Sequence, residues 1–237
     1  MIFLKAKWQN IIMANYEVPI EFLVAYLPKG VELDLYQGKV YISLVGFMFK
    51  ETKLFNIPIP RLGTFEEINL RFYVIKKGEN ENTRGVVFIN ETVPYKLVAW
   101  MANKLYKEHY SVVKTKSSMQ TTNQDKIISY QWLLNKKWQH LNVSASQSSN
   151  YMLPESLEEF IYEHYAGYTK VDSTRTLAYK INHPRWRTNE VKIFDIQCNF
   201  NAMYGSAFEF MNALQPTSVY LAEGSEISVD WKRNRIA

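Results

Sequence analysis

A guanidinium and several carboxylates interrupt two runs that otherwise alternate like strands. In Phe65-Glu66-Glu67-Ile68-Asn69-Leu70-Arg71-Phe72-Tyr73-Val74, a period of two sets Ile68, Leu70, Phe72 and Val74 on one face and Glu67, Asn69, Arg71 and Tyr73 on the other. In Gly85-Val86-Val87-Phe88-Ile89-Asn90-Glu91-Thr92-Val93, the same period groups Glu91 with Val87, Ile89 and Val93. A charge on an apolar strand face is costly unless a partner meets it. Two readings follow. Glu67, Arg71 and Glu91 form a self-satisfied ion-pair network, or they line a site. In the site, Arg71, Asn69 and Tyr73 hold a ligand while Glu67 or Glu91 moves a proton.

The elements that must position these groups are strands 67–75 and 85–93, joined through the polar, Gly/Asn-rich stretch Lys76 to Arg84 as a hairpin. Pro94 then opens a helix to about Tyr106, with Leu97, Val98, Met101 and Leu105 inward and Lys96 on its first turn. Upstream, Trp8 to Tyr16 and Val40 to Phe49 read as strands, the second entered by a turn at Gln37-Gly38. Val18-Pro19 starts a short helix with Ile20, Leu23, Val24 and Leu27 on one face. Downstream, residues 111–149 read as strands broken by polar turns, including Ile127 to Leu134 and Leu141 to Ala145. Pro154 to Tyr165 reads as a helix, and Leu177 to Ile181, Val191 to Phe200 and Val219 to Val229 as strands. Strands dominate without a βαβ alternation, which predicts an α+β chain built on a large, curled, mainly antiparallel sheet with a few outer helices. No Pro/Gly/Ser linker divides residues 1–237, so one domain is expected.

Composition narrows the function classes. The 28 basic and 23 acidic residues give +5, but the basic ones are scattered in small groups such as Lys76-Lys77, Lys136-Lys137 and Lys232-Arg233. A nucleic-acid footprint would gather them on one stripe, so no nucleic-acid partner is expected. Cys198 is the single cysteine, which excludes an intrachain disulfide and suits a reducing compartment. Neither a secretory leader nor an apolar run of membrane-spanning length occurs, and a cytoplasmic protein without a membrane partner is expected.

Other polar motifs carry less. His109, His140, His164 and His183 lack metal-ligand spacing, so no metal is expected. His164 falls on an apolar helical stripe and is expected to be a hydrogen-bonded core residue. His183-Pro184-Arg185-Trp186 reads as a rigid turn, the alternative being a rim element. Ser225 lacks a nucleophile elbow, and no phosphate-binding glycine loop is present, so no cofactor is expected.

Several segments together carry a resemblance. Asn15-Tyr16-Glu17-Val18-Pro19, Leu33 to Gly38, Ser43-Leu44-Val45-Gly46-Phe47, Phe65 to Val74, Gly85 to Pro94, Glu163 to Tyr168, His183 to Trp186 and Ser218 to Ser225 occur in the order of the YqjF-like bacterial family, which is similar in fold to acetoacetate decarboxylase. The resemblance implies a closed β-barrel around an internal site. It points to Glu67, in Phe65-Glu66-Glu67, and to Glu91, in Asn90-Glu91, as the site's glutamates. The arginine of the decarboxylase Arg-Glu pair is replaced by Asn90, and the arginine near the first strand by Gln9. Leu97 stands where the Schiff-base lysine falls, one residue past Lys96, and the paired lysine is absent. An amine attacks a ketone only when unprotonated, and a lysine with a reference pKa of about 10.4 needs a cation or apolar burial to reach that state. The leading expectation is therefore a protein that binds a small organic acid or ketone in an internal pocket, with acid-base chemistry of the decarboxylation, hydration or isomerisation type. A lysine Schiff-base decarboxylase using Lys96, with Lys104 on the same helix, is one alternative. A non-catalytic structural protein is another. Self-association stays open.

Overall fold

β-Branched and aromatic residues recur along the chain at strand spacing. The computed structural model describes residues 2–231 and 234–236 and joins these runs into one sheet. In chain order the strands are β1 (Ile2–Val18), β2 (Glu32–Leu33), β3 (Val40–Leu54), β4 (Ile57–Pro58), β5 (Phe65–Lys76), β6 (Thr83–Val93), β7 (Tyr110–Val112), β8 (Thr115–Thr121), β9 (Asp125–Leu134), β10 (Lys137–Tyr151), β11 (Ala166–Lys170), β12 (Thr176–Asn182), β13 (Arg187–Gln197), β14 (Ser218–Asp230) and β15 (Asn234–Arg235). Lys232 and Arg233, counted above among the scattered basic residues, lie outside the described residues.

The order across the sheet is β15-β12-β11-β6-β5-β3-β1-β14-β13-β10-β9-β8, and β12 also pairs with β14. That extra pairing closes β14-β1-β3-β5-β6-β11-β12 into a ring, and β13, β10, β9 and β8 run on as an arm. Neighbours are antiparallel except where β6 meets β11 and β7. The strand-dominated curled sheet expected from the sequence is present, and so is the closure that the resemblance implied.

The arm doubles back over the outside of the ring. Ile12, Leu44, Ile68 and Leu70 of the ring share one core with Tyr130, Trp132, Leu141 and Val143 of the arm. Burying each such side chain contributes about 1.5–3 kcal/mol. Thr115 and Ser117 of β8 add hydroxyl hydrogen bonds to the Glu66 carboxylate, both 2.7 Å. The opposite face of the same ring strands carries Met13, Val45, Phe47, Phe65 and Phe88, which form a second cluster inside the ring. One alternating strand therefore feeds two interiors, and the polar set of β5 belongs to the inner one.

The helices depart from expectation in their faces. α1 (Ile20–Val24) buries Leu23, but Ile20 and Val24 are exposed. Phe22, and Tyr26 and Leu27 just past the helix, pack against the same core as Leu23, and a 3₁₀ segment at Ser206–Ala213 brings Phe208 to 5.1 Å and 5.4 Å from the Phe22 and Tyr26 rings. α2 (Lys96–Tyr106) turns Ala99 and Tyr106 inward and leaves Leu97 and Trp100 outside. α3 (Leu157–Tyr162) is shorter than the expected Pro154 to Tyr165, being capped by the Ser156 hydroxyl, which accepts from the Glu159 amide at 3.1 Å. α4 (Phe200–Tyr204), which the sequence reading took as a strand end, begins after β13 stops at Gln197. Among the described residues, no helix is long and apolar enough to cross a membrane.

Ring closure rests on close backbone approach. Gly85 faces β11 where a Cβ would lie 2.6 Å from the Ala166 carbonyl oxygen, so a side chain there would push β6 away. Gly224 holds φ at 81° opposite Gln9, and a Cβ there would run into the Trp8 carbonyl. Gly224→Ala combines a left-handed backbone with that collision. It is expected to cost more than about 1–2 kcal/mol, read as a lowered Tm; an unchanged Tm would show that β14 can shift without loss.

Candidate functional site

The inner face of β5 presents Glu67, Asn69 and Arg71 in sequence, opposite Phe47, Val45 and Ser43 of β3. All three polar side chains are buried. On the other side the register slips between Leu70↔Asn90 and Arg71↔Phe88, which leaves Ile89 unpaired as a bulge. The slip corrects the facing read from sequence. Val87 and Ile89 pack into the outer core, whereas Val86, Phe88 and Val93 join the inner cluster and Glu91 lines the cavity with Phe88. A single extra residue lets Glu91 face the inner wall beside Glu67, as expected, while Val87 and Ile89 face the outer core.

The cavity has a volume of about 130 Å³. Trp8, Phe47, Phe49, Phe65, Phe88 and Trp186 give it a mostly apolar wall, and Val98, Met101, Ala102 and Tyr106 of α2 close one side. Into it project Glu67, Asn69, Arg71, Glu91, Glu108, Tyr110 and Tyr179. Asn69 donates to Glu67 Oε1 at 3.1 Å and the Tyr110 hydroxyl donates to Glu67 Oε2 at 3.1 Å. Glu108 Oε1 accepts from Thr169 at 2.5 Å and from Tyr179 at 2.9 Å. Its Oε2 has no partner, nor do Glu91 Oε2, Asn69 Oδ1 and Arg71 Nε.

The expected ion-pair network does not form among the described residues. Arg71 instead donates one Nη to Met13 Sδ at 3.3 Å and to the Ile161 carbonyl at 3.5 Å, with its guanidinium 5.7 Å from the Tyr73 ring. The carboxyl groups are left to burial. Burial pushes Glu67 up to about 7, opposed by the hydrogen bonds from Asn69 and Tyr110 and by the charge of Arg71, with Glu108 adding to the rise. Burial likewise pushes Glu108 up to about 7. Glu91 rises well above the carboxylate range, first through burial and then through the charges of Glu108 and Glu67. Among the described residues, no group of His, Cys, Asp or Glu side chains has the arrangement to hold a metal ion.

The structure thus brings together Glu67, Asn69, Arg71 and Glu91 and separates two other candidates from them. Tyr73 lies beyond the cavity's end, where α3 crosses β5. Its hydroxyl is 2.6 Å from Ser43 Oγ and its ring packs on Phe160 and His164. Lys96 is exposed, because the face of α2 over the cavity carries Val98, Met101 and Ala102, and at about 100° per residue Lys96 points the other way. Lys104 is exposed too, its ammonium 4.8 Å from the Trp100 ring. No lysine lines the cavity among the described residues. At the position matched to the arginine near the first strand, Trp8 and not Gln9 faces inward.

Three contributors were not read from sequence. Glu108 and Tyr110 follow α2 across a turn in which Lys107 takes a left-handed conformation, and β7 then runs parallel to β6 with Tyr110 beside Glu91. Tyr179 arrives from β12. Two other motifs fall beside the site. His164 is a buried core residue, 3.2 Å from Asp34 Oδ2, and burial lowers it to about 4. His183 is stacked between Tyr165 and Trp186 at 4.5 Å and 4.1 Å, so the turn is rigid, and its Trp186 also forms part of the cavity wall.

A closed ring of strands around a cavity, with a helix across it, is the acetoacetate decarboxylase-like fold. Over 100% of this chain and 91% of the other, the structure is similar to the enduracididine biosynthesis enzyme MppR complexed with pyruvate, at TM-score 0.66 and 11% identity. It is similar to acetoacetate decarboxylase of Legionella pneumophila at TM-score 0.65 and 12% identity, covering 99% and 87% of the two chains. An acetoacetate decarboxylase-like enzyme of Sphingomonas wittichii RW1 superposes at TM-score 0.67 and 9% identity, covering 99% and 93%. At the sequence level, residues 5–226 match the DUF2071 family, described as "Uncharacterized conserved protein", and the chain belongs to that family. It is also 30% identical over 115 residues to the uncharacterized protein YqjF of Bacillus subtilis. That alignment covers 48% of this chain, and the chain spans about half the length of this relative, 46%.

Raised carboxyl groups set the sign of the pH dependence. Glu67 and Glu108 hold protons in the folded chain up to about 7, whereas the unfolded chain releases them near about 4.3. The folded state therefore binds more protons across that window, and stability falls as pH rises through it. Chemical denaturation is expected to show a declining unfolding free energy from about pH 5 to pH 7.5, with Glu67→Gln flattening the slope. A slope that rises instead, unchanged by the substitution, would mean the carboxylates are paired.

Proposed function

We propose that the cavity binds a small organic acid or carbonyl compound, with Arg71 taking its carboxylate and Glu67 exchanging a proton with it. The observation that carries this reading is a buried guanidinium on the wall of an aromatic-lined cavity, its Nε unpartnered and its Nη on Met13 Sδ and the Ile161 carbonyl, with no carboxylate bonded to it among the described residues. An arginine in such surroundings is expensive to leave alone, and a ligand carboxylate would supply the missing charge-assisted hydrogen bonds. Glu67, held near neutrality, is suited to accept a proton from a carbon next to a carbonyl and return it, while the aromatic wall keeps bulk water away. The neighbour solved with pyruvate holds a compound of this class on the same fold. Acid-base chemistry of the isomerisation or hydration kind fits these groups better than an imine route, since Lys96 is exposed. Cytoplasmic residence, consistent with the lone Cys198, belongs to the same reading.

Thermal shift and calorimetry with short keto acids and carboxylic acids test it. At least one is expected to raise the Tm, and Arg71→Met should weaken its binding roughly ten- to hundredfold while the chain stays folded. Failure of every acid to bind the natural protein would end the proposal. Borohydride treatment with a 3-keto acid is expected to leave Lys96 unmodified; a reduced adduct there would restore the Schiff-base reading.

A further inference from the structure

Arg71 accounts for only one end of the cavity. Two further carboxyl groups line the same space, and among the described residues each keeps one oxygen without a hydrogen-bond partner. Glu91 Oε2 and Glu108 Oε2 are unpartnered, and both residues are more than nine-tenths buried, with exposures of 3% and 6%. The other oxygen of Glu108 is already committed to Thr169 and Tyr179, so its orientation is held while Oε2 stays open. The Tyr110 hydroxyl, which donates to Glu67 Oε2 at 3.1 Å, also interacts with Glu91 but leaves Glu91 Oε2 open. Burial keeps protons on this pair while it faces no cation, and a nitrogen cation arriving between the two carboxyl groups would take a proton's place.

We infer that the ligand bears a protonated nitrogen as well as a carboxylate, the nitrogen seated between Glu91 and Glu108 and the carboxylate at Arg71. The inference rests on the acid site proposed above and narrows its ligand to short amino, guanidino or imidazolium acids. Spacing supports it. Glu91 stands opposite Asn69, two residues along β5 from Arg71, which at about 3.4 Å per residue sets the two poles roughly 7 Å apart along the strand. A chain of three or so carbons between the charges spans on that order. An ammonium would lower the cost of ionising Glu91 and Glu108 by replacing the proton that burial keeps there, and Phe88 and Tyr110 line the same wall. Such a ligand is neutral overall, so its burial disturbs the net charge of the cavity little.

A matched series separates the parts: γ-aminobutyrate carries both charges, levulinate a carboxylate and a ketone, butyrate a carboxylate alone and butylamine an ammonium alone. Calorimetric titration of the natural protein is expected to rank γ-aminobutyrate at least tenfold tighter than butyrate or levulinate. Glu91→Gln should erase that margin and leave butyrate binding unchanged, with an unshifted far-UV spectrum and a Tm no lower than the parent's confirming that it folds. If levulinate and butyrate bind as well as γ-aminobutyrate, the cationic pole is wrong and the acid site stands. If none of the four binds, both proposals fall. Because the ranking is measured on the unaltered chain, it holds even where a variant does not fold.

Discussion

Holding carboxyl groups out of water without a cation on them is the constraint that the rest of this structure accommodates. An isolated buried carboxylate carries a penalty of several kcal/mol, which is relieved by keeping the proton, by hydrogen bonding, or by meeting a positive charge. The chain uses the first two. Asn69 and Tyr110 partly solvate Glu67, Thr169 and Tyr179 partly solvate Glu108, and protonation covers what remains. The third remedy is close by, since Arg71 stands on the same strand as Glu67, yet its guanidinium is drawn toward Met13 and the Ile161 carbonyl. A structural role would favour a closed ion pair. Open valences at both ends of one cavity favour a visitor.

The scaffold tolerates that arrangement because its stability is gathered elsewhere. Outside the ring, the packing of Trp132, Tyr130 and Leu141 against Ile68 and Leu70 supplies a core that does not depend on the inner wall. β5 belongs to both sides, with Ile68, Leu70 and Phe72 fully buried outward while Glu67, Asn69 and Arg71 point inward. The strand is thus clamped from behind, and the polar groups in front are held in register without having to bind one another.

How much of this was legible follows from where each residue sits. β5 alternates without interruption, so the facing of Glu67, Asn69 and Arg71 could be read from period two alone. β6 carries a bulge at Ile89, and no residue type announces it; the inward facing expected of Glu91 holds, while Val87 and Ile89, grouped with it by strict alternation, turn to the outer core. Tyr73 alternates correctly but lies past the point where α3 crosses, and a strand's own pattern does not say where a cavity ends. Glu108 and Tyr110 sit in a short connection whose path is set by a left-handed Lys107 and by parallel pairing to β6, a tertiary choice without periodic trace. Similarly, of the face expected for α2, Val98 and Met101 line the cavity and Leu105 packs on a core cluster, and only Leu97, apolar but at the margin of that stripe, is left half exposed.

That phase of α2 decides between the chemistries open to the fold. An imine route needs an amine projected from this helix into the cavity, and the projecting positions are Val98, Met101, Ala102 and Tyr106. Neither 96 nor 97 can reach inward unless the helix turns by roughly 100–200° about its axis, which would drag Tyr106 out of its packing with Phe3 and Tyr179. Moving the lysine by one residue is therefore not a small displacement but a change of face. With no lysine on the wall among the described residues, Arg71 is the cation nearest the glutamates in this cavity, and the titratable groups beside it are carboxyls and phenols. Proton transfer needs a neutral acid and its conjugate base at one site, and burial places Glu67 where both forms coexist near pH 7.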